Sequence, residues 1–285
     1  MRAYLVAMIP VLLWAANFPA TRYVLQDYSP GSIALLRSLV AVVVMSVAAI
    51  AKKIRMPRKK DLPMFALSGF TGVFLFTFLI NTGARYVESG VGSFIVNSAP
   101  VFTLIFAILL LKERAKPICW VGVLLSLCGL IVIMVNQIAG LEFNIGVFLL
   151  LIAAIVTSLY NIILRGLLKT YSSIEVALYS LIPATVCMLV FIPEAVRDIP
   201  ESTLSANIFL VLLGVFPAAI AHLAWAYALS RAEKTTNVTV FLYLIPFIAT
   251  IIGFFWLGET LSIWSFIGGV VIIAGMVLTN TLGKS

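Results

Sequence analysis

Charge is scarce in this chain. Asp, Glu, Lys and Arg make up 11% of its 285 residues, against 62% hydrophobic ones, whereas a soluble domain carries roughly 25% charged residues. No globular core hides so much apolar side chain, so the solvent for most of this surface is lipid. Histidine occurs once and cysteine three times. Cys119, Cys128 and Cys187 each lie inside an apolar run. There they read as small hydrophobes, and neither a disulfide framework nor a metal set is implied. The sequence has no Gly-rich phosphate loop ending in Lys-Ser or Lys-Thr, which removes the visible route to ATP as an energy source, and no Gly-x-Ser-x-Gly nucleophile elbow. Acid and base side chains are not clustered at any one depth, as an intramembrane enzyme would require. The reading is of a non-enzyme without cofactors.

What is present is a series of long apolar runs. A membrane-spanning helix takes about 20 apolar residues, and ten such runs fit: 3–25, 31–51, 62–84, 91–111, 117–136, 143–165, 174–194, 205–230, 236–257 and 262–282. The N-terminal run lacks a small-residue cleavage site and reads as a retained first span rather than a signal peptide. The net charge of +8 does not point to nucleic acid, because the basic residues sit in short segments between runs, where they set orientation. With the N-terminus inside, fifteen Lys and Arg fall in inner segments, including Lys52, Lys53, Arg55, Arg58, Lys59 and Lys60. Three, namely Arg22, Arg85 and Arg197, fall in outer ones. That asymmetry predicts a cell (inner) membrane protein with both termini cytoplasmic.

The chain repeats itself. Pro100 is followed thirteen residues later by Glu113, and Pro246 by Glu259; the second pair lies 146 residues after the first. The same shift places Gly122 on Gly268, Gly129 on Gly275, Trp14 on Tyr160 and Trp120 on Phe266. The expected fold is therefore an all-α integral membrane protein of ten transmembrane helices built as two five-helix repeats, residues 1–140 and 141–285. Five is odd, so the second copy enters the membrane inverted. Inverted repeats place a solute site at their interface and open it alternately to each side, which argues for transport.

The segment "LLWAANFPATRYVLQDYSPGSIALLRSLVA" (Leu12 to Ala41) resembles the opening of an EamA-type member of the drug/metabolite transporter superfamily. That family begins with a Trp, a small residue and Asn-Phe in span one, then an Arg early in span two. Here Ala15-Ala16 stands where members commonly carry Gly-Ser. The Pro-to-Glu phrase and the glycines beyond it also fit, and the likeness covers nearly the whole chain. The resemblance implies ten helices, a central cavity and efflux of small metabolites such as amino acids. The alternatives are a nucleotide, nucleotide-sugar or drug carrier of the same fold, or a non-transporting membrane scaffold. The expected partners are a small-molecule substrate and the lipid bilayer, with protons as a candidate coupling ion; both a monomer and a homodimer are compatible with the sequence.

Polar side chains inside a bilayer are costly and face the interior of the bundle. In span four, Ser93, Asn97, Pro100 and Leu104 follow helical spacing; Thr239, Tyr243, Pro246 and Thr250 are their counterparts in span nine. Span one offers Trp14 and Asn17, span three Asn81, and span six Tyr160 and Asn161. His222 lies in the middle of span eight with Trp225 one turn on. These residues are the substrate-binding candidates. His222, Arg37, Pro100 and Pro246 are also candidates for coupling or gating: the imidazole can carry a proton, the prolines can serve as matched bends, and Arg37 can snorkel outward or pair with a neighbouring span. Glu113 and Glu259 are expected to cap helices or pair with loops.

Overall fold

The computed structural model describes residues 2–111, 116–138, 144–225, 242 and 244–282. Among them the fold is helical, with no strand. The helices are α1 (Arg2–Val24), α2 (Pro30–Ala51), α3 (Leu62–Gly69), α4 (Phe76–Gly83), α5 (Ser89–Val96) and α6 (Ala99–Leu111). They continue with α7 (Pro117–Ile138), α8 (Ile145–Leu167), α9 (Ser173–Met188), α10 (Ile192–Glu201) and α11 (Leu204–Val215). The last two are α12 (Ile245–Leu257) and α13 (Ile263–Leu282). Two π-helical segments interrupt the series: π1 (Phe70–Leu75) joins α3 to α4, and π2 (Phe216–Ile220) follows α11. Five helical stretches are long and apolar enough to cross a membrane: Pro30–Ala51, Lys59–Gly83, Ile145–Leu164, Ser173–Glu201 and Leu204–Trp225.

Local chemistry fixes where these helices begin and end. Ser29 precedes Pro30 and accepts the Ser32 N–H at the start of α2, a cap followed by a pre-set φ. Asp198 of α10 reinforces this start, accepting from the Ser29 N–H (2.8 Å) and the Ser32 hydroxyl (2.7 Å). The Glu175 carboxylate accepts both the N–H and the hydroxyl of Ser172 (2.7 and 2.8 Å) where α9 begins. Gly258 ends α12 in the left-handed region, φ 67°, which only glycine enters at no steric cost. Pro217, inside π2, has no N–H to give the α-helical ladder, so the regular turn is broken there.

The 146-residue period reappears in the helix bounds. α6 and α12 are both thirteen residues long and start at 99 and 245; α7 and α13 start at 117 and 263; π1 and π2 start at 70 and 216. The expected stripe in span four assumed one continuous helix. Instead α5 ends at Val96 and α6 begins at Ala99. Asn97 closes α5 by folding its amide back onto the Ser93 carbonyl (2.8 Å) and hydroxyl (3.3 Å), so Ser93 and Asn97 stay in contact while the break sets Pro100 on a separate helix. Asn competing for its own backbone is a known helix terminator.

α7 and α13 form the closest helix pair. A Cβ on Gly129 would lie 2.5 Å from the Gly268 carbonyl oxygen, and one on Gly268 would lie 2.7 Å from that of Gly129. A Cβ on Gly275 would strike the Gly122 carbonyl. Between these two contacts the Ser126 hydroxyl donates to the Ile272 carbonyl at 3.0 Å. Contacts therefore run from 122 to 129 along α7 while running from 275 to 268 along α13, so the two helices are antiparallel. Small residues allow this approach in lipid, where van der Waals contact rather than water exclusion holds helices together. An apolar cluster that includes Phe94, Ile95, Leu130, Ile133, Leu150 and Ile272 lies beside the pair.

Candidate functional site

The π2 segment gathers the polar aromatics. The Trp14 indole N–H donates to the Pro217 carbonyl at 3.2 Å, and His222 Nδ1 lies 3.2 Å from the same oxygen. A carbonyl only accepts, so Nδ1 carries the proton, and the Ala218 carbonyl gives the ring a second backbone partner. Trp14 meets His222 edge-on at 5.4 Å between ring centroids and Trp225 at 5.7 Å, spacings that favour edge-to-face contact. His222 is exposed, and Trp14 and Trp225 beside it are half-buried. π-helical turns recur at functional sites because they break the ladder and redirect side chains. The counterpart of Trp14 is treated in the same way: a Cβ on Gly72, within π1, would overlap the Tyr160 ring.

The structure thus brings Trp14, His222 and Trp225 together, and other candidates have contacts of their own. Asn161 reaches the Thr103 hydroxyl at 3.4 Å. Asn81 donates to the Pro30 carbonyl at 3.3 Å, while its own carbonyl oxygen is buried without a hydrogen-bond partner. The side-chain oxygens of Asn17 and Thr21, one turn apart on α1, are in the same state. Such atoms cost free energy unless something comes to satisfy them. Pro246 is buried in the first turn of α12, and Pro100 is the second residue of α6. Tyr243, Thr239 and Glu113 lie outside the described residues.

At another end of the fold, Glu259 is the hub. It pairs with Arg22 of α1 and accepts from the Ser89 N–H (2.8 Å) and hydroxyl (3.0 Å) at the start of α5. The carboxylate lies against Gly253, where any Cβ would collide with it. Beside it opens a cleft of about 280 Å³ lined by Arg22, Leu25, Gln26, Ala84, Arg85, Leu257 and Glu259. Burial and the neighbouring Glu259 charge push the Glu88 carboxyl above its usual range, with Arg22 opposing. At the basic end, the Arg58 N–H donates to the Tyr171 hydroxyl (2.9 Å), which itself donates to Asp61 (2.6 Å). Holding that carboxylate's hydrogen bond pushes the Tyr171 phenol up. The pairing expected for Glu259 is present, but its partners were not visible in the sequence: Arg22 is 237 residues away. The Pro217 carbonyl was also missed, and the signal that could have found it is a proline five residues before the single histidine.

Among the described residues no group of His, Cys, Asp and Glu could hold a metal ion. The family model of the EamA-like transporter family matches residues 1–135 and again 144–281. The chain is 34% identical over 281 residues to a protein of Streptantibioticus cattleyicolor named "Probable terminal-alkyne amino-acid exporter", covering 97% of this chain and 93% of that one. It is 32% identical to the uncharacterized transporter YdfC of Bacillus subtilis (94% and 87% covered) and 25% identical to the uncharacterized inner membrane transporter YedA of Escherichia coli (96% and 88%). A solved crystal structure shares the fold with a TM-score of 0.67 at 20% identity, covering 99% of this chain and 98% of that one. An apolar helical chain with polar aromatics gathered on a π-helical turn, matched twice along its length by one transporter model, belongs to the EamA-like transporter family.

Proposed function

We propose that the chain is a secondary carrier of ten spans, built as two inverted five-helix halves (1–140 and 141–285), that exports small neutral or zwitterionic metabolites, amino acids foremost, by alternating access. One observation carries the reading: the α7–α13 seam. The 146-residue shift carries each contact across it onto another contact across it, because Gly129 corresponds to Gly275 and Gly268 to Gly122. Gly129 meets Gly268 and Gly275 meets Gly122, while Ser126 bonds the carbonyl of its own counterpart, Ile272. Such reciprocal contacts are those of a two-fold axis. Because the paired helices run antiparallel, the axis supports halves of opposite sense. Two halves with one architecture can exchange conformations at little net cost, which is what alternation requires. The Trp14–His222–Trp225 cluster supports a largely uncharged cargo body, and the name of the Streptantibioticus relative supports amino acids.

Labelling of single-cysteine variants by an impermeant reagent tests the architecture, and counterflow in liposomes tests the activity. Cysteines at Asp61 and Glu201 are expected to react from opposite sides of the membrane. Reaction from the same side, or no flux of any amino acid, overturns the reading.

A further inference from the structure

Among the described residues Arg37 has no counter-ion. On α2 the strongly exposed residues Leu39, Val43, Val47 and Ile50 form one stripe, and the buried Ala34, Ser38, Ala41, Met45 and Ala49 form the opposite one. At 3.6 residues per turn, Arg37 falls about 80° from the centre of the buried stripe and about 125° from that of the exposed one. It therefore faces protein rather than lipid. Its backbone lies against α11, where a Cβ on Gly214 would come within 2.8 Å of the Arg37 carbonyl oxygen. Among the described residues its guanidinium makes no hydrogen bond and no ion pair. A cation left so inside a membrane protein is expensive, and an anion brought to it would offset that cost.

The pseudo-two-fold sharpens this. The counterpart of Arg37 is Pro183, and that of His222 is Phe76. Arg37 and His222 thus break the likeness of the two halves, and they lie within electrostatic range of each other. A scaffold that alternates needs matched halves and gains nothing from one-sided polarity unless the cargo itself has two unlike ends. A guanidinium fork matches a carboxylate through two parallel hydrogen bonds, and the Trp14–His222–Trp225 cluster offers aromatic surface beyond it. Resting on the carrier reading above, we propose that Arg37 is the residue that recognises the cargo's carboxylate and orients the molecule with its side chain toward that aromatic cluster.

The test is counterflow in liposomes with the proteinogenic amino acids and their decarboxylated amines, on wild type and Arg37→Gln. Wild type should favour the acid over its amine, and Arg37→Gln should cut that preference by at least about tenfold, the equivalent of 1.4 kcal/mol. Arg37→Lys, which keeps the charge and loses the fork, should retain part of it. A preference that survives in Arg37→Gln overturns the assignment. So does wild type carrying the amines equally well, an outcome that leaves the carrier reading standing. Absence of any flux removes both. A measurement on wild type alone does not depend on the variants folding: phenylglyoxal modification of Arg37, read by mass spectrometry, should be slowed by a transported acid and not by its amine. Equal rates overturn the proposal.

Discussion

Replacing Gly129 with Ala should loosen the α7–α13 seam by an amount the geometry sets. The new methyl would lie 2.5 Å from the Gly268 carbonyl oxygen and 2.8 Å from the Ile272 backbone nitrogen, against an ordinary carbon–oxygen contact of about 3.3 Å or more. Both obstacles are helix backbone and cannot rotate away, so the helices must part by roughly 1 Å. Overpacking of this kind costs about 1–3 kcal/mol. The same displacement stretches the Ser126–Ile272 bond from 3.0 Å beyond useful length, losing about 0.6 kcal/mol more. A total of about 2–3 kcal/mol lowers the melting midpoint by roughly 4–10 °C in a chain of this size. The shift relation makes a second demand: Gly275→Ala, the counterpart substitution, should cost about the same. Ser126→Ala isolates the hydrogen bond and should cost only about 0.6 kcal/mol. Thermal unfolding of the purified protein, followed by fluorescence, reads all three. If Gly129→Ala melts with wild type, or if Gly275→Ala is tolerated while Gly129→Ala is not, the reciprocal seam is wrong.

Glu259→Gln removes the Arg22 ion pair and weakens two hydrogen bonds from Ser89, interactions worth about 1.5–3 kcal/mol when charge-assisted. A cysteine at Ala84, in the cleft beside Glu259, should then react faster with a soluble maleimide, and an unchanged rate would mean that Glu259 does not hold that end shut. His222→Phe adopts the residue that stands at the counterpart position; the flux that remains should lose the pH response that an imidazole supplies. A retained response would remove His222 from proton coupling. For Glu88 the raised carboxyl pKa means that folding favours the protonated form. Its stabilising share is full below the unfolded-state pKa and is lost as pH rises through the folded one. Glu88→Gln should therefore melt above wild type at neutral pH, with the gap closing under acid; a gap that widens on acidification would reverse the sign and refute the burial argument.

The sequence made much of this architecture legible because a duplicated chain carries an internal ruler. The 146-residue shift located α6 against α12 and α7 against α13, and it singled out the glycines that meet at the seam. It also paired Trp14 with Tyr160, and both rings settle against π-helical turns. What stayed hidden depends on backbone choices that hydrophobic patterning does not encode. An α-helix and a π-helix present much the same apolar content, so neither π1 nor π2 has a periodic signal. Asn97 follows helical spacing yet ends a helix, because its amide finds nearer partners in Ser93. The Arg22–Glu259–Ser89 contact joins three distant stretches, and their proximity follows only from tertiary packing.

A surface on which Ser126 greets its own counterpart is the surface of a homodimer written into one polypeptide. A lone five-helix unit able to insert in either direction would dock on an upturned twin through these same glycines, with no linker needed to hold register. The covalent link then contributes stoichiometry and proximity, and it frees each half to drift. Positions such as 37 and 222, where the halves have diverged, are what a fused chain can specialise and a true homodimer cannot.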